Sequence, residues 1–226
     1  MTNRRRTLAW LVLAAAAPWG GLAHAGAYED FFKAIELDNA TVVTDLLRRG
    51  FDPNARDPKG QPALLVALRE DSHKAAAALL AAKGLKAEER NAKDESPLMM
   101  AALRGNLPAA RALIALDADV NKTGWAPLHY AATCTTPDAV VMVALLLEES
   151  AYIDAASPNG TTPLMMAVRY GQGEVARQLV QEGADPTLKN DLGLTALDFA
   201  RQADRADMME LLTEAMRQRQ PNRGKW

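Results

Sequence analysis

The sequence predicts an all-α chain built as a linear array of about six helix-turn-helix repeats. Three observations predict it. A leucine pair or its equivalent recurs at Leu46-Leu47, Leu79-Leu80, Leu113-Ile114, Leu146-Leu147, Leu179-Val180 and Leu211-Leu212, at intervals of 32 to 34 residues. Roughly fifteen residues before most pairs stands a second marker: Gln61-Pro62-Ala63-Leu64, Ser96-Pro97-Leu98, Thr161-Thr162-Pro163-Leu164 and Leu194-Thr195-Ala196-Leu197, with Gly124-Trp125-Ala126-Pro127-Leu128-His129-Tyr130-Ala131-Ala132 in the fourth copy. After pairs come Gly50-Phe51-Asp52-Pro53-Asn54, Asp117-Ala118-Asp119-Val120-Asn121 and Gly183-Ala184-Asp185-Pro186-Thr187. A period of this size means one supersecondary unit copied along the chain, each copy burying its apolar face only against its neighbours.

The first element, residues 1–25, has the form of a signal peptide. Arg4-Arg5-Arg6 precedes an apolar run from Leu8 to Ala17, and Ala23-His24-Ala25 offers a small-x-small cleavage site, so cleavage is expected after Ala25. Pro18 interrupts the run short of the ~20 apolar residues that span a bilayer, which argues against a membrane anchor. The paired arginines leave Sec and twin-arginine export both open. An exported, periplasmic or secreted chain is the expectation, with no membrane span after cleavage.

Six copies follow, at about 27–58, 59–93, 94–123, 124–158, 159–191 and 192–216. The first has Phe31-Phe32-Lys33-Ala34-Ile35 and no proline turn before it, as suits an N-terminal cap. In the third, fourth and fifth, Pro97, Pro127 and Pro163 mark the first turn of an inner helix, where a missing N–H costs nothing. Ser96, Thr162 and Thr195 are expected N-caps, while Pro62 and Ala126 depart from that pattern. The alanines Ala67, Ala101, Ala102, Ala131, Ala132, Ala167 and Ala200 keep the inner helices slim enough to stack closely. Gly50 and Gly183 suit the left-handed residue after an outer helix, whereas Asp117 and Ser150 hold the equivalent places and predict looser ends there. Two copies break register: the finger around Asn121-Lys122-Thr123 that closes the third is cut back, and the reversal at Cys134-Thr135-Thr136-Pro137-Asp138 in the fourth is swollen. In the sixth, Asp198, Arg201, Arg205, Asp207 and Glu210 give the polar finish an open array needs. Residues 217–226, with Arg217, Arg219, Arg223 and Lys225, are expected to be a disordered basic tail.

Together these motifs resemble the ankyrin repeat, whose pattern runs from a T-P-L-H-x-A-A helix start through an L-L second helix to a G-A-D-V-N turn. The resemblance covers residues 27 to 216. It implies a solenoid whose inner helices and fingers line a concave face, and it makes His129 a structural residue of the helix start. Across the copies, the two register positions that would project into that face carry Lys33, Val66, Met100, Tyr130, Met166 and Phe199, then Glu36, Arg69, Leu103, Thr133, Arg169 and Gln202. Trp125 adjoins them from a finger. A protein-binding groove is therefore expected at Val66, Arg69, Met100, Leu103, Trp125, Tyr130, Met166, Arg169 and Phe199, because Trp, Tyr, Met and Arg dominate interface energetics. The same side chains could instead pack between neighbouring inner helices.

Composition and motif content narrow the function classes. The formal charge is −2, and losing Arg4, Arg5 and Arg6 takes it to −5, which gives no long-range attraction for nucleic acid. A single cysteine, Cys134, cannot close an intrachain disulfide. His73 and His129 stand in no metal spacing, and no glycine-rich phosphate loop, G-x-S-x-G elbow or H-E-x-x-H helix occurs. No cofactor is implied, and Asp52, Asp119, Asp154 and Asp185 recur because a turn recurs. The expected function is a non-enzymatic adaptor in the bacterial envelope, a monomer that binds another protein and no nucleic acid. The alternatives are an accessory to oxidative-stress defence, as some similar exported bacterial ankyrin proteins look like partners of catalases, with Met99, Met100, Met165 and Met166 as oxidisable groups, and an enzyme with an unrecognised site.

Overall fold

The computed structural model describes residues 20–219, so most of the expected signal peptide and residues 220–226 of the expected tail lie outside the described residues. Twelve helices run through the described residues in six pairs: α1 Gly20–Glu36 with α2 Ala40–Arg48, α3 Ala63–Arg69 with α4 His73–Leu80, α5 Pro97–Arg104 with α6 Leu107–Ala115, α7 Pro127–Ala132 with α8 Ala139–Glu148, α9 Pro163–Tyr170 with α10 Gly173–Gln181, and α11 Ala196–Gln202 with α12 Ala206–Arg219. Among these residues there is no strand, only an isolated bridge between Arg56 and Pro62. No described helix is long and apolar enough to cross a membrane. The odd-numbered helices stack on one another along one side, and α2 on α4, α4 on α6, α8 on α10 and α10 on α12 along the other.

The recurring leucines form the spine of this array. Leu46, Leu79, Leu113, Leu146, Leu179 and Leu212 are all buried. In the last pair Leu212, not Leu211, takes the inward place, and with it the spacing returns to the period of the earlier copies. The slim alanines Ala67, Ala101, Ala102, Ala131, Ala132, Ala167 and Ala200 are completely buried, which leaves room for one inner helix to lie on the next. At the first copy the end is closed by aromatics: the Phe31 ring lies 4.3 Å from Phe51 and 5.6 Å from Phe32.

Helix starts follow the sequence, with one substitution of chemistry that spacing does not reveal. Ser96, Thr162 and Thr195 each accept the N–H of the residue three ahead, at 3.3, 3.4 and 3.4 Å. The reciprocal bond back to the cap comes from four different acceptors. In the fourth copy His129 Nδ1 accepts from Ala126 N–H at 3.1 Å, and Met99 and Met165 sulfurs take that place at 3.1 and 3.4 Å. In the sixth, an Asp198 carboxylate oxygen accepts from both the N–H and the hydroxyl of Thr195, at 2.9 and 2.7 Å. Asp198 thus builds a helix start rather than only giving the array a polar end.

The outer-helix ends differ from expectation. Asp117 and Ser150 adopt the left-handed conformation at φ 61° and 64°, as Gly50 and Gly183 do at 91° and 101°. All four ends close with the same pair of bonds. Ala118 and Ala151 N–H donate to Leu113 and Leu146 carbonyls at 3.0 and 2.9 Å, matching Phe51 to Leu46 at 3.0 Å and Ala184 to Leu179 at 2.9 Å. The ends at Asp117 and Ser150 are therefore no looser. The burial of Ala118 and Ala151 beyond the turn holds a conformation that costs a non-glycine residue about 1 kcal/mol.

The C-terminal boundary also moves. Helix α12 continues through Arg217 to Arg219, into the stretch expected to be a disordered tail. Arg219 is held there by Asp185 at 3.3 Å and by the carbonyls of Gly183 and Ala184, which cap the preceding copy. Arg205 is likewise not a solvated polar finish, because its Nη1 donates to the carbonyls of Val168 and Gly171 at 3.0 and 2.9 Å and closes the end of α9.

Candidate functional site

The fourth copy concentrates the departures from regularity, and the candidate site forms around it. Its inner helix α7 is the shortest of the twelve, and the swollen reversal from Thr133 to Asp138 follows. That reversal is not a free loop. Cys134 is fully buried with its sulfur 3.2 Å from Thr136 Oγ1, and Gln172 of the next copy donates to the Thr136 carbonyl at 2.6 Å. Thr136 packs over Gly105 of the preceding copy, where a Cβ would come within 2.2 Å of its hydroxyl oxygen. The extra residues act as a wedge between copies three and five, while α5 and α7 stay in close contact on the inner side.

The shortened finger leaves Lys122 where other fingers have a polar tip. In the second, fourth and fifth copies Asn91, Ser157 and Asn190 fold that tip by accepting backbone N–H groups. Lys122 is only 6% exposed and donates to the Thr123 carbonyl at 2.9 Å and to Asp94 of the preceding finger. Asp94 is shared with Arg90, and both cations hold its carboxyl below the usual range. Nothing in the sequence pattern marks this buried lysine, because its partner lies on another finger.

Above this charged platform the inner-helix face opens into a cavity of about 240 Å³ lined by Leu103, Trp125, His129, Tyr130, Thr133 and Met166. Four of the expected groove residues, Leu103, Trp125, Tyr130 and Met166, therefore meet at one place. The Trp125 ring stands edge-on to His129 at 5.3 Å, and His129 itself is sealed. Burial pushes the His129 imidazole below its usual pKa, and the ring stays neutral, accepting at Nδ1 from Ala126 and donating from Nε2 to the Thr161 carbonyl at 3.0 Å. Burial, together with the neighbouring Glu95 carboxylate and a hydrogen bond to it, pushes the Tyr130 phenol up to about 12. The cavity thus has an apolar floor with a neutral phenol at its edge.

The other expected residues have different surroundings. Met100 is 3% exposed and packs in the core between inner helices. Phe199 is almost sealed and lies under the guanidinium of Arg169 at 5.7 Å. Arg69 is engaged by Glu95 at 3.0 Å and by Gln61 at 3.1 Å, and Val66 is half-buried outside the cavity. Arg169 stands beside the cavity, one turn along α9 from Met166. Met99 and Met165 are sealed and bonded to helix starts, which accounts for them by structure rather than by oxidation. The recurring carboxylates serve turns: Asp52, Asp119 and Asp185 accept the N–H two residues on at 2.8, 2.9 and 2.8 Å, and Asp154 accepts from Asp185 N–H at 2.9 Å. His129 and Cys134 are both engaged elsewhere, so they do not form a nucleophile and its base.

A second, larger depression of about 760 Å³ lies on the outer helices, floored by Ala76, Ala77, Leu80, Ala109 and Ala112 and rimmed by Lys74 and Asp138. Pattern reading passes over it because alanine there looks like an ordinary helix former. Alanine also leaves the space between α4 and α6 unfilled.

Comparison with known proteins gives a consistent family. The family model described as ankyrin repeats (3 copies) matches residues 31–123, 79–156, 117–190 and 140–223. The chain is 33% identical over 165 residues to the nuclear factor NF-kappa-B p105 subunit of Gallus gallus, covering 70% of this chain and 16% of that protein. It therefore spans only about a sixth of that relative. Among solved structures, an ankyrin repeat domain from Acinetobacter baumannii AYE is similar with a TM-score of 0.67 and 27% identity, covering 82% of this chain and 97% of that one. A chain in the complex of the Bd0816 predatory endopeptidase from Bdellovibrio bacteriovorus with immunity protein Bd3460 is similar with a TM-score of 0.68 and 27% identity, again covering 82% and 97%.

Proposed function

The chain belongs to the ankyrin-repeat family, and we propose that it is a non-enzymatic adaptor that holds a protein partner on its inner-helix face. Ankyrin stacks are protein-interaction folds, and fold alone does not choose the partner. The observation that carries the reading is the cavity at Leu103, Trp125, Tyr130 and Met166, an apolar opening on the inner-helix face. Large amphipathic side chains around a partly desolvated hollow are where interface energy concentrates. At about 240 Å³ the cavity is smaller than the roughly 300–1,000 Å³ of small-molecule sites and suits a single side chain of a larger partner. The endopeptidase and immunity protein complex among the similar structures supports a protein as that partner.

Affinity capture with the full chain tests this. One enriched protein is expected, with affinity falling about thirtyfold or more in Trp125→Ala, which removes a half-buried ring. Circular dichroism should show the same helicity in both proteins. Retention of the partner by a folded Trp125→Ala protein would defeat the proposal.

Export is part of the same proposal, on the strength of Arg4-Arg5-Arg6, the apolar run Leu8 to Ala17 and Ala23-His24-Ala25. N-terminal sequencing of the protein recovered outside the cytoplasm is expected to begin at Gly26. Material there that starts at Met1 would end the cleavage reading.

A further inference from the structure

The charges around the cavity are unequal, and the inequality describes the occupant. On the side of the second and third copies the cations Arg69, Arg90 and Lys122 are each matched by a carboxylate. Arg69 pairs with Glu95 at 3.0 Å, Arg90 with Glu88 at 2.7 Å, and Lys122 with Asp94. On the opposite side stands Arg169, three residues after the cavity residue Met166 and so on the same face of α9.

Arg169 is held in position without being neutralised. Its guanidinium lies 5.3 Å from the Tyr170 ring centre and 5.7 Å from that of Phe199, and Nη1 donates to Gln202 Oε1 at 2.7 Å. These contacts restrain the planar group but carry no negative charge. Among the described residues no carboxylate lies within ion-pair distance of it, and the nearby Asp198 is paired with Arg201 at 3.1 Å. A guanidinium keeps its charge at every physiological pH, and its fork of donors fits the two oxygens of a carboxylate. Preorganisation by stacking lowers the cost of adding that partner.

We propose, resting on the protein-binding reading above, that the occupant is an acidic polypeptide segment. It seats one bulky apolar side chain among Leu103, Trp125, Tyr130 and Met166 and presents a carboxylate, a few residues away, to Arg169. The apolar anchor supplies most of the affinity, and the carboxylate sets the direction in which the segment lies along the inner helices.

The test uses the full chain on arrays of synthetic decapeptides, each carrying one Leu or Phe in a Gly/Ser background. Glu, Gln or Lys is placed two to four residues to either side. Glu peptides are expected to be retained at least about tenfold better than Gln peptides, on one side of the anchor only, and Lys peptides worst of all. Arg169→Gln should remove the difference between Glu and Gln while leaving the preference for Leu or Phe over Gly. Arg201→Gln, whose cation is already paired, should leave the pattern unchanged, and both variants should melt within a few degrees of the parent. Equal retention of Glu and Gln peptides, a Glu preference that survives Arg169→Gln, retention of no peptide, or self-association that depends on Arg169 in place of peptide binding would each overturn the assignment. A partner captured through Trp125 but indifferent to Arg169 would sink only this inference. A partner indifferent to Trp125 would sink the binding reading itself.

Discussion

Leu146→Ala is expected to lower the thermal midpoint by roughly 10 °C, while Lys59→Ala leaves it within about 1 °C of the parent. Leu146 is completely buried on α8, which packs on α7 of its own copy and on α10 of the next. Truncation removes the transfer energy of the side chain and leaves a cavity, a change of about 2–5 kcal/mol in a well-packed site. For a chain of this size each kcal/mol shifts the midpoint by about 2–4 °C. Lys59 sits exposed at a finger tip where only its backbone N–H bonds, to Asp57 at 2.9 Å. Coincident melting curves for the two variants would contradict the stacking arrangement.

Gly171→Ala is expected to destabilise comparably, by about 3 kcal/mol, for the opposite reason. A Cβ at Gly171 would lie 2.1 Å from the carbonyl oxygen of Ala132 and 3.0 Å from that of Ala167. Both obstacles are backbone, so no side-chain rotation relieves the clash, and overpacking of this kind typically costs about 1–3 kcal/mol or more. The only relief is to push the fourth and fifth copies apart at the point where the wedge at Cys134 and Thr136 already fills the joint. Gly26→Ala, where a Cβ meets nothing within 4 Å, serves as the control and should leave the midpoint unchanged or slightly higher. A Gly171→Ala protein that melts with the control would show that the joint yields more easily than its geometry implies.

Much of this architecture was legible because repetition multiplies weak signals. One proline after a serine is ambiguous, but Pro97, Pro127 and Pro163 in register each begin an observed helix. What escaped were features in which a residue is read by type while its partner lies a whole repeat away. Arg205 looks like a surface charge until it meets the carbonyls at the end of α9, and Lys122 looks like a finger-tip lysine until Asp94 covers it. Asp117 and Ser150 looked like poor helix ends because local propensity disfavours φ above zero, yet packing of the alanine that follows overrides it. The choice between Leu211 and Leu212 was unreadable from a pair motif alone and is decided by which one the preceding copy can cover. At the candidate site, register groups Leu103, Trp125, Tyr130 and Met166, which line one cavity. It did not separate them from Met100, because facing along a helix does not reveal how closely the next helix lies over it.

The fingers are joined by a chain of small clasps. Asn54 bonds Gly84 and Lys86 of the next copy, Glu88 bonds Asp119, Asn121 bonds Ser150 and Tyr152, and Asp154 bonds Asp185. Each reaches about one repeat forward and no further. A chain wired this way can order itself from its leading end while the rest is still being made, since among the described residues these clasps leave no copy waiting for a distant mate. Newly emerged hairpins find their docking surface already in place, and the time during which oily helix faces stand open to stray neighbours is correspondingly brief.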